Sequence, residues 1–415
     1  MAAIENAPRR LRDNRDFRFW WGGTVLSAIG DEVTLIAFPL LVLFLTGSPT
    51  HAGLVGGVAA VPPLLLSVPI GVLADRTSRR ALMLGGSVVS AISITSIPVV
   101  HLLGELTLPH LYAVAFVNSV AATVYRIADT AALPRIAGEE KLGEAASQSE
   151  TIWGISAIVA PPLAGLLFET AGPTSPFWID AVSFVAIMVC VLAIRAKLGA
   201  DRPYPEVSWR QDLTTGARVT LSRPLVRALT VLTVAGDFLF AGIGLLLIVL
   251  VREGGASGLE TGTVFTAAAV GGILGSMVAA RVEDRIGMVP AVLTKHWLTA
   301  ALFPLLLVDL PGWATGLIWG LISFQISILN VIQMKYLMSV IPNSKLGRVE
   351  GFLTFIEQGS LPLGYALTGV LLGLLGTTST LLAYEAVLLV LAVFATVSRG
   401  LRTPAHPDEP ARSSG

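Results

Sequence analysis

The apolar residues of this chain gather into runs of about 20 or more, the length that crosses the ~30 Å hydrocarbon core of a bilayer at 1.5 Å per helical residue. Charged residues and Pro/Gly punctuation separate twelve such runs, at roughly 19–45, 51–74, 81–103, 107–133, 144–169, 175–196, 224–251, 259–281, 289–309, 312–340, 349–375 and 378–398. The pattern predicts an all-α integral membrane protein with twelve transmembrane helices. Its longest polar break divides the runs six and six, giving an N-terminal unit over 1–196, a linker over 197–223 and a C-terminal unit over 224–399. Within the linker Trp209, Leu213 and Ala217 recur at i, i+4 among polar residues, which fits either a short helix lying on the membrane face or a loosely structured connection. The tail over 400–415 is rich in Pro, Ser and charge and is expected to be disordered.

Basic residues set the orientation, because Lys and Arg accumulate on the cytoplasmic side. With both termini inside, only Arg252 of the 28 Lys and Arg residues falls on the outer side; moving the span count by one scatters them over both faces. The basic head (Arg9, Arg10, Arg12, Arg15, Arg18) precedes an apolar run far longer than a signal-peptide core, so the first helix is expected to stay in place. These features together imply a multi-pass protein of the plasma membrane, monomeric and with both termini cytoplasmic.

Composition narrows the function classes. The chain is 53% hydrophobic and 13% charged, with 28 basic and 28 acidic residues, a balance that suggests no nucleic-acid partner. Cys190 is the only cysteine and lies inside an apolar run, which excludes an internal disulfide and argues against a thiolate metal cluster. The five histidines are scattered, with His51, His101 and His110 on the outer side, so no metal site is expected. Neither a P-loop nor a catalytic constellation appears, which argues against an enzyme, a cofactor and direct use of ATP.

The charges inside the runs carry the remaining information. Asp31 lies twelve residues in from Phe19, about 18 Å along a helix and near the midplane, where an ionisable group is expensive and marks a functional site by default. Its phrase, Val25-Leu26-Ser27-Ala28-Ile29-Gly30-Asp31-Glu32, returns as Val231-Leu232-Thr233-Val234-Ala235-Gly236-Asp237. Asp75-Arg76 returns as Asp284-Arg285, and Lys141-Leu142-Gly143 after Pro134 returns as Lys345-Leu346-Gly347 after Pro342. Two copies of one six-helix unit in the same orientation are the signature of a parallel-repeat transporter, whose site lies at the midplane between the copies.

The segment GVLADRTSRRAL (71–82), between the second and third runs, resembles the signature loop of the major facilitator superfamily, G-x-L-A-D-R-x-G-R-K. Gly71, Leu73, Ala74, Asp75, Arg76 and Arg79 match, Arg80 replaces a lysine, and Ser78 stands where a glycine is usual. SAIVAPPLAGLL (156–167) is similar to the proline-containing antiporter motif G-x-x-x-G-P-x-x-G-G, keeping Pro161 and Gly165 while Ser156, Ala160 and Ala164 replace glycines. The opening Phe17-Arg18-Phe19-Trp20, the Gly-Asp phrase and Gly347-Arg348-Val349 resemble the drug and siderophore exporter branch, which includes macrolide efflux and enterobactin export proteins.

The resemblance implies two six-helix bundles and a proton-coupled exporter of a lipophilic or cationic compound. It places Asp31 and Asp237 on the wall of one central cavity, where a carboxylate in low dielectric can hold a proton or attract a cation in turn. Glu32, about 100° around the helix from Asp31, is expected to act apart from it, if it acts at all. Asp75, Arg76 and Arg80, with Arg126 of the fourth run, are implied to form a charge network that gates the cavity, with the start of the eleventh run facing Asp75. Arg126 and Asp129 are spaced to form an i, i+3 pair. Glu357, Trp153, Gln325, Asn330 and Gln333 could line a substrate path or simply pack and bond between helices. Glu150 and Lys335 fit snorkelling near cytoplasmic ends, and Asp180 and Glu385 also interrupt apolar runs. The cluster Phe17, Phe19, Trp20, Trp21 reads as an interfacial belt. Two other functions fit the same architecture: uptake or uniport of a nutrient, and a non-transporting membrane sensor. The shortage of deep basic residues argues against an anionic substrate.

Overall fold

The computed structural model describes residues 10–199 and 209–402, and all regular structure among them is helical. The chain enters α1 (Arg15–Thr46) through Asn14, whose side chain accepts from the backbone N–H of Asp16 and Phe17 and donates to the Ile136 carbonyl at 2.8 Å. It is followed by α2 (Pro49–Arg76), α3 (Arg79–Leu102), α4 (Leu108–Ala137), α5 (Leu142–Thr170) and α6 (Ser175–Ala193). Ser78, at the position where the signature loop usually has glycine, caps α3 by accepting from Ala81 N–H at 3.4 Å, with φ −67°. A polar cap on ordinary backbone builds this turn, so no left-handed residue is needed.

After the undescribed 200–208, α7 (Trp209–Ser222) occupies the linker, which decides for the helical reading. It is fastened to the next half: Asp212 pairs with Arg348 at 2.8 Å, and Gly216 packs against the Arg348 carbonyl. The seventh run is broken at Gly242 into α8 (Pro224–Ala241) and α9 (Ile243–Glu253), where the side chain of Thr368 occupies the space a Cβ would need. Then come α10 (Gly258–Ile286), opened by a Ser257–Glu260 capping box, α11 (Met288–Leu302), which tightens into a 3-10 turn, and α12 (Gly312–Val340).

The last two apolar runs form α13 (Asn343–Val397), 55 residues interrupted at Gly376, whose φ of 77° and ψ of 174° lie outside the helical region and favour glycine. Thr368 and Tyr384 share a hydrogen bond of 2.5 Å across this break. Sixteen residues of straight helix would hold them about 24 Å apart, so the chain reverses at Gly376 and the two arms lie antiparallel. A short α14 (Arg399–Arg402) follows, and the tail from 403 lies outside the described residues.

Eleven of these helices are long and apolar enough to cross a membrane, counting α13 once. Large apolar side chains such as Leu102 (77% exposed) and Trp313 (70%) stand on the outer surface, as expected where lipid is the solvent. With no hydrophobic drive between helices in lipid, close packing must hold them, and small residues permit it. Helix α1 packs on α5 and α6, α4 on α2 and α3, α10 on α12, and α13 on α8 and α11. The two sequence halves meet along α2–α13 and α5–α10. At Gly53 a Cβ would lie 2.6 Å from the Gly369 Cα, and at Gly165 it would overlap the Gly258 carbonyl.

Candidate transport cavity

A cavity of about 1140 Å³ lies between α1, α2, α4 and α5 on one side and α8, α9, α10 and α13 on the other. Its walls are mostly apolar, with Phe38, Phe184, Phe240 and Phe265 among them, interrupted by Asp31, Glu32, Arg126, Asp129 and Glu150. Toward the face that carries residue 10 and α14, the lining ends at Thr130, Ala146 and Glu150. The close approaches between halves lie toward the opposite, distal face: Gly53 on Gly369, Thr50 Oγ1 to the Gly369 carbonyl at 3.2 Å, and Gly165 on Gly258. Nearby, Glu169 pairs with Arg252 at 2.9 Å and accepts from the Gly258 N–H. The cavity is therefore sealed at the distal end.

Asp31 and Glu32 both line it, yet they face different neighbours. Glu32 acts on Tyr365 of α13 across the cavity, whereas Asp31 feels Asp180 of α6 and, less strongly, Glu32 itself. Asp180 is fully buried, accepts from Thr34 Oγ1 at 2.5 Å and Ser183 Oγ at 3.2 Å, and sits so close to α1 that a Cβ on Gly30 would lie 2.5 Å from its Oδ1. The glycine of the Gly-Asp phrase is thus the notch that admits the second acid. In the repeat, Gly236 has open space around it.

At the open end, Asp129 does not form the expected pair with Arg126; it accepts from the Trp20 indole at 2.7 Å. Trp20 is 2% exposed and packs at a tilt against buried Phe17, 5.3 Å between centroids, so these two belong to the interior and not to an interfacial belt. Trp21 donates to Gln148 at 3.2 Å. Glu150, expected to snorkel, and Trp153 of the same helix both line the cavity.

Asp237 is not on that wall. It lines a separate pocket of about 430 Å³ between α8, α12 and α13, with Asn330, Gln333, Glu350 and Glu357. Lys295 of α11 is near enough to act electrostatically on Asp237. Residues 357 and 358 divide between the two spaces, Glu357 to the small pocket and Gln358 to the large one. Gln325 lines neither of them: it is 6% exposed and donates to Thr299 Oγ1 at 3.0 Å, a helix–helix bond. Lys335 pairs with Glu283 at 2.7 Å.

Pro161 lines the cavity, and the Pro161 carbonyl and Pro162 fill the space beside Gly262, so the antiporter-like motif builds the α5–α10 seam. In the signature loop Arg80 donates to the Ile194 and Ala196 carbonyls, the latter at 3.0 Å, and so fixes α3 to the end of α6. Gly71 faces open space, and Asp75 and Arg76 are exposed without a hydrogen bond or ion pair among the described residues. The expected contact between Asp75 and the start of the eleventh run is not made, because the α2–α13 seam closes around Gly53 and Gly57, more than four turns away.

A model of the transmembrane secretion effector family matches residues 7–413. The chain belongs to this family. Similar proteins are the multidrug efflux pump Tap of Mycolicibacterium fortuitum (26% identical, 91% of this chain and 94% of Tap) and the enterobactin exporter EntS of Shigella boydii (24%, 86% of each). Macrolide efflux protein A of Streptococcus pyogenes matches 44% of this chain and 45% of its own length at 26%. All are exporters of the major facilitator superfamily. Among solved structures, a mutant of the nucleoside transporter NupG superposes with a TM-score of 0.76 at 12% identity, covering 92% of this chain and 99% of that one. A bacterial ferroportin homologue superposes at 0.73 in its inward-facing state (15% identity, 92% and 98% covered) and at 0.59 in its outward-facing state (16%, 92% and 98%). The fold is that of the major facilitator superfamily.

Three polar residues of this chain gain significance only in three dimensions. Asp180 was visible as an acid in an apolar run, but its place beside Asp31 depends on two helices 146 residues apart in sequence at the Thr34 contact. Lys295 interrupts the ninth run, which was the available signal for it. Tyr125 gave no signal: its hydroxyl is buried, has no partner but the Thr24 hydroxyl beside it, and lies under the influence of both Asp129 and Asp31.

Proposed function

We propose that this chain is a secondary active transporter that exports a small lipophilic or cationic compound, such as a drug, antibiotic or siderophore, in exchange for protons. The units 1–196 and 224–399 rock about the cavity by alternating access, joined by the linker over 197–223. The observation that carries this reading is the cavity: apolar and aromatic walls suited to a lipophilic body, with Asp31, Glu32, Asp129 and Glu150 outnumbering the single Arg126. With the termini in the cytoplasm, its unsealed end faces the cytoplasm and loads substrate from there. The closer superposition on the inward-facing neighbour agrees with that arrangement, and the relatives named for multidrug efflux and enterobactin export support the direction and the substrate class. Asp31 is the leading protonation site. Glu32, which acts on Tyr365 and lines the same cavity as Trp153 and Gln358, contacts the substrate.

Inverted membrane vesicles test this. With a pre-formed proton gradient, addition of ethidium, a macrolide or a catecholate siderophore should collapse part of the gradient for at least one of the three, and Asp31→Asn should abolish that response. A wild-type protein that accumulates a compound without any proton movement refutes antiport. A wild-type response that survives Asp31→Asn unchanged refutes the coupling role of Asp31.

A further inference from the structure

Thr24, Ser27, Asp31 and Thr34 follow one another at intervals of three and four residues, so they form a single stripe along α1. All but Asp31 are more than nine-tenths buried, at 8%, 6% and 7% exposure, and Thr24, Ser27, Asp31 and Thr34 all border the cavity. Across from the lower part of the stripe stands α4, where Tyr125 and Asp129 lie one turn apart. The hydroxyls of Thr24 and Tyr125 are neighbours that interact with each other, and neither has another hydrogen-bond partner. Each hydroxyl keeps lone pairs free to bond a water or a transferred proton. At its upper end the stripe reaches the Asp31–Asp180 pair, for which no basic partner stands among the described residues that act on it.

We propose that Asp129, Tyr125, Thr24 and Ser27 form a proton path that runs from the end of the cavity opposite the distal seal to the neighbouring acids Asp31 and Asp180. The spacing suits it: hydroxyls on successive turns are about 5.4 Å apart, the span of two hydrogen bonds of about 2.8 Å through one bridging water. Each step moves one proton. A proton delivered to the phenolic oxygen of Tyr125 is matched by loss of the phenolic proton to the next oxygen in the column, so no tyrosine ion accumulates and the hydroxyls are restored by rotation. The final acceptor is the carboxylate of the acid pair, and the source is water at the open end by way of Asp129. The Trp20 indole holds one oxygen of Asp129, leaving the other for the transfer. The remaining titratable groups around the column are Glu32 on α1, Arg126 on α4, Glu150 on α5, Cys190 on α6 and Tyr365 on α13. Asp180 itself does not border the cavity, so one of the two acids stands behind the substrate-facing wall that Asp31 forms.

This inference rests on the antiport reading, and two measurements separate their fates. In inverted vesicles, Tyr125→Phe should lower proton-gradient-driven ethidium uptake at least tenfold, while counterflow of labelled against unlabelled ethidium at equal pH, which needs no net proton transfer, stays within twofold of wild type. Asp180→Asn should give the same split. Infrared spectroscopy of the reconstituted protein after a pH jump needs no substrate: the carboxylic C=O band of the pair should appear at least tenfold more slowly in Tyr125→Phe and be lost in Asp180→Asn. If wild-type uptake ignores the proton gradient, the antiport reading falls and the path with it. If wild type is gradient-driven and Tyr125→Phe matches it in both driven uptake and infrared rate, the path alone is wrong. Loss of counterflow together with driven uptake in both variants would make these residues structural and also overturn it.

Discussion

Neutralising Glu169 should shift the protein toward opening at its distal face. Glu169, near the end of α5, accepts from Arg252 of α9 at 2.9 Å and from the N–H of Gly258, the first residue of α10. Both partners lie in the second half of the chain, so the two bonds must break if the halves separate there. The side chains are 43% and 34% exposed, which limits the ion pair to about 0.2–1 kcal/mol after solvent screening. A carboxylate at a helix N-terminus adds about 0.3–1 kcal/mol. The sum, about 0.5–2 kcal/mol, corresponds to a roughly 2- to 30-fold change in the ratio of closed to open. Glu169→Gln keeps the size and one acceptor oxygen, so it removes the charge and little else. The assay is labelling of a single cysteine placed at the cavity position Leu35, in a Cys190→Ala background, by a membrane-impermeant maleimide applied to the distal face. Glu169→Gln should raise the labelling rate within that range, and Arg252→Gln should do the same without adding to it, because the two share a bond. High salt should mimic part of the effect in the wild type. An unchanged or slower rate in Glu169→Gln would show that this pair does not hold the distal face.

Two further substitutions test the packing around the acids. Gly30→Ala should lower the midpoint of thermal denaturation in detergent, since a Cβ 2.5 Å from Asp180 Oδ1 costs about 1–3 kcal/mol of overpacking against about 1 kcal/mol of helix propensity gained, whereas Gly22→Ala, with open space, should raise it. Trp20→Phe removes the indole N–H that donates to the Asp129 carboxyl and should cost about 1.5–3 kcal/mol, read in the same melt, with Asp129→Leu in the Trp20→Phe background recovering part of the loss.

Depth was legible in the sequence, and direction around each helix was not. Run lengths placed Asp31 near the midplane, the charge bias grouped the loops, and the signature segment at 71–82 pointed to the superfamily. Even the break at Gly376 lies between two runs separated on sequence grounds. The neighbour each side chain meets is set by helix rotation, which the apolar pattern does not record when a span is greasy all round. Asp237 matches Asp31 in depth but turns into the α8–α12–α13 pocket. Spacing made Arg126 a plausible partner for Asp129, yet an indole 109 positions away took that place. Gln325 looked equally fit for a cavity or for a helix seam, and only its bond to Thr299 decided between them.

The repeat therefore keeps a phrase while separating its consequences. In the second half the acid has a cation within electrostatic reach, Lys295, and the glycine before it touches nothing. In the first half the glycine is a notch, the neighbour it admits is another acid, and both carboxyls sit at membrane depth. A buried acid with a cation can stay charged through a transport cycle, because the pair is self-compensating. Two neighbouring acids without one favour a site that takes up a positive charge or keeps a proton. The pseudo-symmetric architecture thus offers unlike sites to the proposed transport cycle: two neighbouring acids on the Asp31 side, and an acid with a cation within reach on the Asp237 side.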